Sequence, residues 1–412
     1  MHPVTVLLAC FIVGSALLLL WRQGLLHSVR SWLVSIALLT GAMLLRLLVF
    51  NAETTDYQWF LAPWVEHFRN HGGFAGFHIP IGNYNVPYLY FLALFSYIPL
   101  PALHLIKLLS SFFDVLLAFY VMKTVGLYTH GNTKKMAAFF LTLFLPTIWL
   151  NSAWWGQCDS IYVTFVVMSF YYMMKEAPVR SIIALALAFA FKLQAIFIFP
   201  LYLIFLVAGK MKIWHLAVFP ATYLAAILPA VLMGRPFIDT LLFYVRTQVT
   251  DGRGLNYNSP SIFAFNTGPH VNPGAATIGV FVAFAFVLLV YFLAFRKHKR
   301  ATLSGEDYLT LALVFVIGVP LLLPHMHERY FYLADVFAVI LGLSRLRYLP
   351  AIPLTQFASF SGYYVYLHFF SEPALTLPFH PFVTTMYYGT AALIAALAIL
   401  LVSVLFRRSQ QT

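Results

Sequence analysis

Charge is scarce in this chain, and the stretch His325-Met-His-Glu-Arg-Tyr-Phe-Tyr332 concentrates it. Two imidazoles, a carboxylate and a guanidinium fall within five residues, between segments apolar enough to cross a bilayer. Ionisable groups at such a place are costly and mark function by default. The competing reading is a polar membrane–water boundary, with Tyr330 and Tyr332 in an aromatic belt. His325-x-His327 lacks the His-Glu-x-x-His spacing of a helical zinc site, and residues two apart on a helix do not share a face. These residue types fit an anion clamp better: Arg329 for a phosphate, His327 as a donor, Glu328 to orient them. His325 and Tyr330 flank the clamp and join it as candidate binding residues.

Carboxylates elsewhere supply the complementary chemistry. Asp56 follows Glu53 by three residues and adjoins Tyr57, in an aromatic stretch that also holds Gln58 and Trp59. At the mouth of a membrane cavity it could take the proton from an attacking hydroxyl; an isolated Asp is more often a loop or helix-cap residue. Gly156-Gln157-Cys158-Asp159 offers a second carboxylate just before an apolar run, where cap and catalytic partner are both open. Lys192 and Gln194 interrupt a long apolar stretch. Lys192 could snorkel, but at mid-run beside Gln194 it is placed to meet a partner, phosphate being the obvious one. A carboxylate on one side of a cavity and cations on the other suit transfer of a group from a lipid phosphate to a hydroxyl.

What positions these residues is a membrane architecture. Of 412 residues, 62% are hydrophobic and 9% charged, against roughly 25% charged in soluble domains. This composition, with long continuous apolar runs, predicts an all-α polytopic membrane protein and excludes a β-barrel. The net charge of +12 sits at the ends of apolar runs, as the positive-inside bias predicts. No basic stripe interleaved with aromatics points to nucleic acid. Cys10 and Cys158 form neither a disulfide framework nor a metal spacing. Residues 4–20 read as a retained first helix, since no positive n-region precedes them. Span lengths and basic loops predict about thirteen crossings (eleven to thirteen) in a single domain, 1–412. The inner loops carry the basic clusters, Arg296-Lys-His-Lys-Arg300 above all, and Arg407 and Arg408 end the last span. Two outer loops, 51–101 and 233–274, hold most of the remaining polarity. The first reads as a juxtamembrane amphipathic helix followed, over 86–100, by an interfacial or re-entrant piece. The second includes Arg235, Asp239, Arg246, Asp251 and Arg253. The run 181–208 reads as a hairpin of two short helices with Lys192 and Gln194 at its outer tip. On this topology all the candidate residues share the outer face of the cytoplasmic membrane.

The chain resembles the integral-membrane glycosyltransferases of the GT-C class, and is most similar to bacterial relatives of the second GPI mannosyltransferase. Five pieces carry the resemblance: Thr55-Asp56-Tyr57, Tyr84-x3-Pro87-x-Leu-Tyr90, Trp154-Trp-Gly-Gln-Cys-Asp159-Ser160, Phe191-Lys192-Leu-Gln194 and His325-x-His-Glu-Arg-Tyr-Phe331. They span about residues 45–335; the last spans carry none of it. The resemblance implies inverting transfer of a sugar, mannose first, from a polyprenyl-phosphate donor to a lipid or glycan acceptor. It implies that Asp56 is the base, that Asp159 lines the site, and that Lys192, His327 and Arg329 hold the donor phosphate. Glu53, Tyr57, Gln157 and Gln194 complete the expected binding set. Some relatives pair adjacent acids in the first loop, whereas here Glu53 and Asp56 are spaced. Some members of the class need a divalent metal and others do not; no spacing here demands one. The competing function is a transporter or flippase of a lipid-linked sugar. Such folds show repeats and helices broken at mid-membrane, and no clear repeat is visible here.

Overall fold

Apolar composition and helix-ending residues together set the element order. In the computed structural model, residues 2–247, 254–377 and 382–406 are described; Asp251, Arg253, Arg407 and Arg408 lie outside them. The first helices are α1 (Pro3–Arg22), α2 (Val29–Leu47), α3 (Ala62–Asn70), α4 (Val86–Phe95), α5 (Ala102–Val125), α6 (Asn132–Phe144), α7 (Pro146–Trp149), α8 (Asp159–Met174) and α9 (Pro178–Phe191). After them come α10 (Phe199–Val207), α11 (Val218–Leu232), α12 (Phe237–Leu241), α13 (Phe243–Thr247), α14 (Pro273–Arg300), α15 (Gly305–Leu322), α16 (Tyr332–Ser344), α17 (Ala351–Phe369) and α18 (Phe382–Phe406). The strands are two-residue pieces: β1 (Glu53–Thr54), β2 (Asn256–Tyr257), β3 (Met326–His327) and β4 (Ser371–Glu372).

This is an all-α polytopic protein. Seven described helices are long and apolar enough to cross a membrane, or eight if the bent segment 132–155 is one span. The other expected crossings fall on helices that do not pass this test of length and composition. A helix buried all round is apolar all round: on α15 every residue from Glu306 to Leu321 is buried. Peripheral α1 and α14 instead expose Leu7, Phe11, Phe281 and Phe284, surfaces made for lipid. The bend of 48° has an identifiable cause. Pro146 has no N–H to give and forces Leu145 out of helical geometry, at φ −58° and ψ 126°. Beyond it Leu150–Trp155 winds as a π-helix, which ends at left-handed Gly156.

Both ends of the bundle are fixed by polar contacts. At one end Lys297 pairs with Asp307 at 2.8 Å, and Glu306 holds Arg345 at 2.7 Å and Arg347. Tyr128 joins this cluster, donating to the Gly305 carbonyl and accepting from Arg345. Lys210 and Glu176 lie 3.5 Å apart, so α10 returns to the level where α9 began. The stretch 181–208 is thus two short helices, broken where Lys192 turns extended. Nearly all the basic loops therefore gather at the end opposite Lys192.

The two expected outer loops dock onto that opposite end. Helix α3 buries Trp64, Val65 and Phe68 on one face and turns Glu66 out. Gly73 is required by close approach, since a Cβ there would lie 2.0 Å from the Tyr97 ring. Helix α4 packs most of its surface on protein, with Val86, Leu89, Leu92 and Ala93 fully covered and Leu94 46% exposed. Its Tyr90 hydroxyl donates to the Ala226 carbonyl and accepts from the Ala230 N–H, at the turn of α11 that Pro229 disrupts. Antiparallel β1–β4 sets Glu53 opposite Glu372, and parallel β2–β3 sets Tyr257 beside His327.

Candidate functional site

A cavity of about 560 Å³ opens at this end. Its wall includes Asp56, Gln157, Lys192, Gln194 and the whole run His325–Tyr330, so four distant stretches of sequence meet there. Asp56 stands just before the π-turn Tyr57–Leu61 and is 22% exposed. Its Oδ2 accepts the Trp155 indole N–H at 2.9 Å and the Gln157 amide N–H at 2.6 Å. Among the described residues both of its hydrogen bonds fall on that oxygen, leaving Oδ1 to take a proton. Gln157 is oriented in turn by the Tyr84 hydroxyl at 2.8 Å and, through its carbonyl, by Ser110 at 2.7 Å. Trp155 stacks on Tyr366 of α17 with ring centres 4.1 Å apart.

Arg329 sits among acids. Its Nη1 donates to Glu328 at 2.7 Å, and Asp56 and Asp159 each lie 3.9 Å away. The guanidinium also covers the Trp155 ring at 5.2 Å. Among the described residues its buried Nε has no hydrogen-bond partner, and the acid nearest to it is Asp159 at 3.9 Å. Burial works against this cation, but Tyr84 and the three carboxylates lift its pKa well above the arginine range. Glu328 is the mirror case. Burial pushes its carboxyl up, and the His327 and Arg329 contacts outweigh that and hold it below the usual 4.5. Tyr330 is pushed up to about 12, chiefly by burial.

Asp159 and Lys192 form a buried ion pair at 2.6 Å, 0% and 4% exposed. Asn151 completes the acid's partners at 2.9 Å. Lys192 reaches the cavity wall; Asp159 does not and stands behind it. The sequence reading gave Asp159 a place in the lining, and here it serves Lys192 and Arg329 from beneath. Glu53 and Tyr57 also lie off the wall: Glu53 accepts from Gln58 at 3.2 Å within its own turn. His325, at φ +64°, donates from Nδ1 to the Gly254 carbonyl at 2.6 Å, leaving Nε2 for a ligand. His327 stacks on Tyr257 at 4.6 Å, nearly parallel. Gln194 lines the wall with its Oε1 buried and unpartnered.

Electrostatically this is no bare positive clamp. Two cations, Lys192 and Arg329, face three carboxylates, Asp56, Asp159 and Glu328. The anion-binding capacity resides in the donors of Arg329 that Glu328 does not take; His325 adds to it only as the imidazolium, since its Nδ1 proton already goes to the Gly254 carbonyl. Sequence reasoning missed Trp155, which holds Asp56, and Tyr366, which stacks on Trp155 and lines the cavity. Trp155 lay in the run Trp154–Ser160; Tyr366 lies on α17 among Gln356, Ser359, Ser361 and His368, and nothing in the spacing singles it out. Among the described residues no group of three or more His, Cys, Asp or Glu is placed to hold a metal ion. Set against known protein families and curated proteins, the chain matches no family model and no curated sequence.

Proposed function

We propose that this protein is a polyprenyl-phosphate-dependent glycosyltransferase of the GT-C type, with mannose the first sugar to try. One observation carries the reading: Asp56, held by two N–H donors, faces the same cavity as Arg329, 3.9 Å away. That is a base beside a phosphate binder. In the reaction the acceptor oxygen attacks the sugar C1 from the face opposite the phosphate, and its proton passes to Asp56 Oδ1. The C1–O bond breaks, and the electron pair leaves with the polyprenyl phosphate. Arg329 stabilises that growing charge, and His325 and His327 join it when their rings are doubly protonated. Glu328 keeps Arg329 in place, and Lys192 and Gln194 line the donor side.

On this reading α8, α9, the segment 193–207, α16 and α17 join the eight apolar spans as crossings, making thirteen. The basic end faces the cytoplasm and the cavity faces outward. The test is purified protein in lipid nanodiscs, given radiolabelled polyprenyl-phosphate sugars and a membrane lipid extract. A new glycosidic product is expected, lost in Asp56→Asn at an unchanged melting temperature. Full activity in that variant removes Asp56 as the base. Movement of the donor across a vesicle membrane without product would favour the transporter.

A further inference from the structure

A second, smaller cavity of about 250 Å³ adjoins the first, and Thr247 lines both. Its wall is formed by Pro80–Gly82 of the first outer loop and by Arg235, Asp239 and Arg246 of the second. Arg235 is only 6% exposed. Among the described residues its side chain makes one long hydrogen bond, from Nη2 to the Ile81 carbonyl at 3.4 Å, and no ion pair. Its Nη1 is buried with no partner. The nearby carboxylate is committed elsewhere, because Asp239 pairs with Arg246. The contrast with Arg329 is direct: there carboxylates overcome burial, and here burial lowers the guanidinium's pKa with only Tyr90 opposing it.

A buried guanidinium without a counter-ion is a costly arrangement that an external anion would relieve. The surroundings say what carries the anion. Phe237 and Ile238 of α12, Leu242, and Val245 of α13 are 40–59% exposed, an apolar surface on the same two short helices that supply Asp239 and Arg246. Apolar groups outside and an unsatisfied cation inside match the two parts of a lipid headgroup region. We infer that the Arg235 cavity binds the phosphate of a membrane lipid, whose chains lie over the exposed face of α12 and α13. This site is separate from the Asp56 cavity and does not depend on the transferase reading.

The test uses the full chain in detergent with three probes: dihexanoyl phosphatidic acid, inorganic phosphate and dihexanoyl glycerol. Binding is read by native mass spectrometry. The short phosphatidic acid should bind at least about tenfold more tightly than either other probe. Arg235→Gln should weaken it by at least about tenfold, the scale of one charge-assisted hydrogen-bond set, and Arg235→Lys should recover part. Equal binding of inorganic phosphate overturns the lipid assignment. Unchanged phosphatidic acid binding in Arg235→Gln overturns the site. Photocrosslinking of the unsubstituted protein guards against a variant that fails to fold. A phosphatidic acid bearing a diazirine near its headgroup should label residues 80–82 and 235–247, and labelling confined elsewhere overturns the site.

Discussion

Replacing Lys192 with Met separates two roles for this residue. A donor-phosphate ligand can be lost with little change in stability. The structure instead makes Lys192 the partner of Asp159, with Nζ 2.6 Å from Oδ1 and both side chains at most 4% exposed. Removing one member of such a pair leaves a buried uncompensated charge, at a cost of about 3–5 kcal/mol. The lower end applies, because Asn151 still donates at 2.9 Å and Arg329 Nε lies 3.9 Å away and can close on Asp159. Spread over 412 residues at about 2.1 cal/mol/K each, such a loss lowers the melting temperature by roughly 3–4 °C. The double substitution Lys192→Met with Asp159→Asn should regain most of it, since neither charge remains. The assay is thermal unfolding in one detergent for wild type, both single variants and the double variant, read as a mutant cycle. A Lys192→Met protein that melts within a degree of wild type would refute the buried-pair argument and return Lys192 to the role of ligand.

Two more perturbations test the scaffold. Glu328 has a folded pKa below its ordinary 4.5, so its contribution is complete above that value and is lost as pH falls through the folded pKa. Melting temperature should therefore decline on acidification below about pH 4.5, and Glu328→Gln should reduce that slope while starting from lower stability at neutral pH. A Cβ at Gly362 would lie 2.7 Å from the Asn258 carbonyl and 3.1 Å from Glu328 Cα. Gly362→Ala should then cost about 1–3 kcal/mol and push α17 off the Glu328 turn, lowering product formation in the transferase assay; wild-type melting and activity would deny that close approach.

Legibility of the sequence divides along physical lines. Membrane class follows from how much apolar surface the chain must hide, a sum over residues that needs no geometry. Lys192 and the His325 stretch stand out for the same reason, because each interrupts apolar sequence at a cost; Asp56, in the polar run 51–58, does not. Their convergence on one cavity was also readable, since basic loops fix which turns share an end. What could not be read is which charges cancel. Asp159 and Lys192 are 33 residues apart, and only the packing of α8 against the α9 break shows that each neutralises the other. Arg235 illustrates the converse. In the sequence it is one more loop cation near Asp239, yet Arg246 takes that acid and leaves Arg235 buried with an unpartnered nitrogen. A charge therefore points to a ligand only after its intramolecular partners have been subtracted. By that criterion Asp56, Arg329 and Arg235 keep unused capacity, while Lys192 and Asp159 largely spend theirs on each other.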